Sequence, residues 1–435
     1  MHVHPARHRF LPALALLTAL GAQAQAQPQE AESEAELLAR ARAIHERVMT
    51  LDTHKDISSD LASEKIPTNS SERERFLLRT DPTLEGPNQV DFPKMRAGGL
   101  DVAFFIVYVG QGPLNEEGFA RAAKQAQDKF DAIHRMARRF PEHIGLARTP
   151  DEVESLHKAG KLVACIGIEN GYAMGTDVSR IADFHRMGAR YMSIAHNGHS
   201  QLGDSHTPSE PLHGGLTDLG RRAIEELNRY GIMVDISHAS KATMMQAVAH
   251  SRAPVLASHS AVDGILPHGR NLDDEQLRAL AAKGGVIQTV AFKSYVKGDQ
   301  ERRNAIAALR EKLDHPRRRS GEPISDSPEA IEKRRLFKEG VAAIEKAHPP
   351  ATVSDFADHI DHAVGVIGID HVAISSDFDG GGGVTGWNTA AETFNVTLEL
   401  VRRGYSEEEV GKLWSGNTLR LWREVEAVGR RLREE

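Results

Sequence analysis

From residue 50 onward, short runs rich in apolar and β-branched residues alternate with longer stretches whose apolar positions recur every three or four residues. The short runs fall at 50–56, 100–109, 162–169, 190–196, 232–238, 254–259, 285–292 and 371–377, and each reads as a buried strand. The stretches between them, such as 118–140, 216–230 and 241–250, read as amphipathic helices. So does 31–48, where Leu37, Ala41, Ile44 and Val48 fall on one face. Strands that alternate with helices pair in parallel, and eight repeats predict an α/β fold of the (β/α)8 TIM-barrel type. An open doubly wound sheet is the alternative, but no glycine-rich phosphate loop follows the first run.

Two regions break the rhythm. Residues 58–93 read as a polar loop after the first run, and 295–350 as a long charged insertion before the last strand, with HPRRRSGEPISDSPE at its centre. Acids and bases are interspersed there, which predicts a solvated helical face rather than a polyanion site. Ser406 and Glu409 have capping-box spacing and predict a C-terminal helix running towards Arg433. At the other end, Arg7 and Arg9 precede an apolar stretch at 10–22 and the small residues Ala22, Ala24 and Ala26. That pattern predicts a secretory signal peptide at 1–26. The apolar stretch is too short to span a bilayer. The mature chain, 27–435, is therefore expected to be a single barrel domain without a transmembrane anchor, exported to the periplasm or secreted.

Composition adds exclusions. Hydrophobic residues make up 40% and charged residues 26%, as in ordinary globular proteins. The formal charge of −7 comes without a basic stripe, so nucleic acid is not an expected partner. Losing Arg7 and Arg9 would take that charge to about −9. Cys165 is the only cysteine, so no internal disulfide is expected, and its apolar neighbours predict a core residue. A homodimer is compatible with the sequence but not required by it.

The candidate chemistry is positional. Barrel enzymes build their sites at the C-terminal ends of the strands, and metal-type side chains recur there. His54 and Asp56 end the first run, Glu169 the third, His238 the fifth, His259 the sixth and Asp377 the eighth. Spaced two apart, His54 and Asp56 face the same side of a strand. Any one of these residues could be a cap or a satisfied core residue; together they converge when the barrel closes. Converging carboxylates need a counter-charge, and an imidazole–carboxylate set suits zinc, with manganese or cobalt as substitutes. The five residues His54, Asp56, Glu169, His238 and His259 exceed what one catalytic zinc takes. Two zinc ions per chain are therefore expected, bridged by Glu169, with His54 and Asp56 on one and His238 and His259 on the other.

These pieces resemble the membrane (renal) dipeptidases, zinc-dependent (β/α)8 enzymes related to the amidohydrolases. The matching motifs are DTHKD at 52–56, GIEN at 167–170, DISHAS at 235–240 and ASHS at 257–260. GRNLDDE at 269–275, SSDFDG at 375–380 and GNTLRLW at 416–422 also match, in order, over nearly all of the mature chain. Many amidohydrolases begin with His-x-His and bridge their metals with a modified lysine, whereas His54-Lys55-Asp56 and Glu169 follow the dipeptidase pattern. The resemblance implies the same five ligands, substrate contacts from His196, Arg270 and Asp377, and tolerance of D-residues at the C-terminal position, with β-lactam hydrolysis in some members.

The expected reaction is hydrolysis of a small dipeptide by a hydroxide bridging the two zinc ions. Asp377 would take the proton and return it to the amine, His196 would donate to the oxyanion, and Arg270 would grip the free carboxylate. Arg270 could instead pair with Asp273 or Asp274, and His196 could be a core histidine. His199 and His206 read as loop residues, and Asp379 with Gly380 to Gly383 as a shaped loop rather than a phosphate site. The alternative enzyme is another amide or lactone hydrolase, such as an N-acyl-amino-acid deacylase. A non-catalytic extracytoplasmic binding protein would have lost part of the ligand set. The insertion as a partner-docking module fits either enzyme.

Overall fold

The apolar runs form nine parallel-paired strands in the computed structural model, which describes residues 32–315 and 327–435. They are β1 (Leu51–Asp56), β2 (Val102–Tyr108), β3 (Ile144–Leu146), β4 (Leu162–Glu169), β5 (Ala189–Ser193), β6 (Met233–Asp235), β7 (Val255–Ser260), β8 (Val286–Val290) and β9 (Val372–Ser375). Eight of them pair in the order β1-β2-β4-β5-β6-β7-β8-β9, with helices between. The ring is completed by a parallel bridge between Lys55 and Phe378, where the Asp56 amide donates to the Phe378 carbonyl at 2.8 Å. This is the (β/α)8 barrel that the alternation predicts. β3 was not expected; it pairs only with β4, outside the ring.

Side-chain alternation decides what lies inside. Val102, Phe104 and Ile106 of β2, with Val163 and Cys165 of β4, pack in one cluster with Leu51, Tyr191, Met233 and Leu256. The intervening Ala103, Phe105, Val107, Ala164 and Ile166 pack with the surrounding helices. The inner cluster includes Trp422, Leu419 and Val425 of helix Asn417–Glu434, so that helix plugs the barrel at its strand N-termini. Cys165 is fully buried there, as expected, and burial pushes its thiol pKa up. The same parity carries Glu169 into the barrel mouth.

Other elements differ in detail. The stretch 31–48 forms helix Glu34–Arg47, with Ser33 and Glu36 making a capping box. The polar loop expected at 58–93 contains a helix, Ser70–Thr80, and the start of another, Phe92–Gly98. The Ser406–Glu409 capping box is present, but the helix it opens passes through a π-helical turn, Lys412–Gly416, before Asn417–Glu434. Within 295–350 lie helices Gln300–Lys312 and Pro328–Ala347, and the second buries none of its residues. Arg335 pairs there with Glu332 and Glu339, and Arg310 stacks on the Phe337 ring at 4.3 Å. The signal-like segment 1–26 and most of the insertion's central motif lie outside the described residues.

Candidate active site

The residues singled out at the strand ends meet at the barrel mouth. Two register shifts help place them, between Asp52 and Lys55 in β1 and between Ala257 and Ser260 in β7. Such irregularities re-aim side chains next to active sites, and here they flank His54 and His259. His238 and Asp377 lie beyond β6 and β9, with φ of 65° and 55°, so the strands end earlier than 238 and 377. His196 likewise follows β5 rather than ending it.

Glu169 is the hub. Its Oε2 lies 3.4 Å from His54 Nε2, and its Oε1 lies 3.1 Å from His238 Nε2 and 3.3 Å from His259 Nε2. His196 Nε2 is 3.8 Å from the same Oε1. Asp56 and Asp377 approach His54 Nε2 at 4.0 and 3.8 Å. One oxygen of Glu169 thus faces the β1 side and the other faces β6 and β7.

His54, His238 and His259 are each held by the other ring nitrogen. The Tyr191 hydroxyl donates to the Thr53 carbonyl (3.0 Å), so at 2.9 Å from His54 Nδ1 it must accept from that nitrogen. The Ser258 hydroxyl donates to Asp235 Oδ2 (2.7 Å) and by the same logic accepts from His259 Nδ1 (2.8 Å). Asn197 Oδ1 accepts from His238 Nδ1 (3.1 Å). With the Nδ1 protons committed, each neutral ring turns the lone pair of Nε2 into the site.

That arrangement fits divalent cations. His238 Nε2 and His259 Nε2 stand 2.9 Å apart beside a carboxylate oxygen, and His54 Nε2 is buried with no hydrogen-bond partner. Bare lone pairs facing one another repel unless a positive charge lies between them. Burial opposes protonation of His54, but Glu169, Asp377 and Asp56 outweigh it and push its pKa up to about 9. Burial, reinforced by Arg270 and neighbouring histidines, keeps His238 and His259 neutral, the form that binds metal. Three overlapping groups of donors are compact enough to hold ions: His54–Glu169–His259, Glu169–His196–His238 and His54–Asp56–Asp377.

Around this cluster the mouth opens into a cavity of about 1720 Å³. Arg270 borders it, buried, donating to the His259 carbonyl at 2.7 Å and to Ser260 Oγ at 3.3 Å. Its Nε has no partner, and no carboxylate among the described residues pairs with it. Asp273 pairs with Lys241 and Asp274 with Arg278 and His362, so the pairing weighed from sequence does not form. His196 lies against Tyr108 and His238, and neither of its ring nitrogens has a hydrogen bond among the described residues. It is not a core histidine with both nitrogens satisfied. His199 anchors its loop to Glu210 and Ser205, and His206 borders a second cavity of 740 Å³ across His238 and Arg270.

A sequence model of the membrane dipeptidases, peptidase family M19, matches residues 38–435. The chain belongs to this family. Dipeptidase aclJ of Aspergillus oryzae is 31% identical over 350 residues, which cover 79% of this chain and 72% of that protein. Dipeptidase ataJ of Aspergillus terreus is 28% identical over 428 residues, 92% of this chain and 90% of its own. The crystal structure of the probable dipeptidase PvdM from Pseudomonas aeruginosa is similar with a TM-score of 0.75 and 30% identity, over 91% of this chain and 100% of that one. The protein is a metallo-dipeptidase.

The dipeptidase depends on one glycine for a close approach. A Cβ on Gly380 would fall against Asp56 Oδ2 and Asp377 Oδ1, nearer than non-bonded atoms allow. Gly380→Ala is expected to cost about 1–3 kcal/mol of stability through overpacking and to lower bound metal, as read by denaturant unfolding and metal analysis. The Asp379 carboxylate accepts from the Gln89 backbone N–H (2.7 Å) and pairs with Lys55 (3.2 Å), which fits the shaped loop expected here. Sequence reasoning missed Tyr191, Asn197 and Ser258, whose roles arise only from contacts across strands. It also placed Tyr295 in the insertion, although that ring lines the cavity, stacks on Phe292 and lies under Arg270.

Proposed function

We propose that this dipeptidase hydrolyses the peptide bond of small dipeptides, including those with a D-residue at the C-terminal position, at a site that takes two zinc ions. The observation that carries the substrate assignment is Arg270, a buried guanidinium without a carboxylate partner beside the histidine–carboxylate cluster. A planar fork of this kind grips a carboxylate through two parallel hydrogen bonds. Gripping a free carboxylate so near the reacting centre favours dipeptides over long peptides. The open cavity leaves room for either configuration at the residue whose carboxylate is held.

His54 and Asp56 would hold one cation, His238 and His259 the other, and Glu169 both through its separate oxygens. When bound, the cations supply Lewis acidity to the substrate carbonyl and lower the pKa of water to near neutrality. Asp377, in the wall beside Asp56 and His54, receives the proton of the attacking water and delivers it to the departing amine. His196 donates to the carbonyl oxygen as it gains charge, its ring steadied by Tyr108. We further propose export to the periplasm or outside the cell, supported by the pattern at 1–26; no described helix is long and apolar enough to cross a membrane.

Metal analysis of the purified protein, with a panel of L-L and L-D dipeptides, tests the reading. Two zinc equivalents with cleavage of both stereochemical series are expected. Two metals without dipeptide cleavage would move the assignment to an N-acyl-amino-acid deacylase. No bound metal, and no activity after zinc, cobalt or manganese is added, would sink it. Arg270→Lys keeps the charge but loses the fork, so KM for dipeptides is expected to rise about tenfold, with metal content unchanged.

A further inference from the structure

A second cation in the wall of the site has no role in the reaction just described. Lys129 sits on helix Glu116–Arg139, and only 15% of its side chain is exposed. Its ammonium lines the same cavity as Arg270 and Glu169. Its nearest carboxylate is Asp56, at 3.8 Å, too long for a hydrogen bond. Apart from that, it lies over the Tyr108 ring, 5.2 Å from the centroid. Among the described residues it makes no hydrogen bond. A nearly buried ammonium with three donors unspent is costly unless something accepts from them. Lys94 shows the usual remedy in this chain: its buried ammonium donates to the Gly86 and Asn88 carbonyls and to Asp91.

Position around the barrel says what that acceptor is attached to. Helix Glu116–Arg139 follows β2, second of the eight ring strands, whereas Arg270 follows β7, the sixth. The two cations therefore stand on opposite sides of the mouth, with Glu169 and its histidines between them. A substrate whose C-terminal carboxylate lies on Arg270 and whose scissile amide lies over Glu169 extends its acyl part towards Lys129. We infer that Lys129 receives a carboxylate on the acyl side of the substrate, so that preferred substrates are dipeptides whose N-terminal residue has an acidic side chain. The inference rests on the dipeptidase reading above. The competing role, holding Asp56 in place, would affect all substrates alike.

The test compares kcat/KM for Glu-Ala and its isostere Gln-Ala in the metal-loaded enzyme. The ratio cancels any loss of folded or metalled protein. Wild type is expected to favour Glu-Ala on the order of tenfold, the worth of one charge-assisted hydrogen bond. In Lys129→Met the ratio is expected to fall to near one, and in Lys129→Glu below one. Ala-Glu against Ala-Gln sets the polarity, and that ratio is expected to stay the same in all three proteins. Equal rates for Glu-Ala and Gln-Ala in wild type would overturn the inference while leaving the dipeptidase reading intact. So would a preference that survives Lys129→Met, or one that Lys129→Met removes only from the Ala-Glu pair. Hydrolysis of no dipeptide by the metal-loaded enzyme would overturn the dipeptidase reading and this inference with it.

Discussion

Replacing Glu169 with glutamine is expected to abolish hydrolysis and weaken metal binding by well over about 100-fold. Loss of an outer partner of a ligand already costs about 10–100-fold in affinity, and Glu169 stands inside that shell. Its Oε2 faces His54 while its Oε1 faces both His238 and His259. An amide presents an N–H donor to one side or the other, where the ring nitrogens offer lone pairs and need a cation. Metal content after dialysis, measured beside wild type, reads the effect directly. Retention of full metal content and activity would remove Glu169 from the centre of the site.

Asp377→Asn separates metal binding from proton transfer. Asp377 is buried in the wall of the cavity, and its backbone lies in the left-handed region at φ 55°, which asparagine adopts at least as readily as aspartate. The substitution keeps shape and backbone but removes the proton acceptor. A general acid–base group is worth about 10²–10⁴ in rate, so kcat is expected to fall by that range while KM and metal content move little. A variant that lost its metal in proportion to its activity would recast Asp377 as a ligand; the donor group His54–Asp56–Asp377 makes that comparison necessary.

The barrel was legible because burial on both faces leaves near-continuous apolar runs. The run 162–169 coincides with β4 and 241–250 with a helix of the same bounds. The runs ending at 196, 238 and 377 extended too far because functional residues leave the strand before they reach the mouth; His238 and Asp377 do so at positive φ, which no hydropathy pattern reports. β3 has three residues, too few to show a period. Helix Ser70–Thr80 hid in a polar loop because its sequence, SSERERFLLRT, has little apolar face. At the site, residue type and strand position pointed to His54, Asp56, Glu169, His238, His259 and Asp377, and the family resemblance added His196 and Arg270; all but the buried His54 line one cavity. The groups that aim them did not announce themselves. Nothing in the sequence marks Tyr191 or Ser258, because their hydrogen bonds to His54 and His259 depend on how neighbouring strands are set.

The seam between β1 and β9 links distance along the chain to the timing of assembly. Ser376 donates both its amide and its hydroxyl to the Asp52 carboxylate, 324 positions away along the chain. His54 and Asp56 stand on one side of that seam and Asp377 on the other. Contacts between such remote segments form late, because the loop they close is among the longest the chain has to order. A ribosome-bound or C-terminally truncated chain can carry six or seven staves of the barrel and still lack Asp377. The mouth of the barrel is thus completed only when the last strand joins the first, with helix Asn417–Glu434 still to follow it.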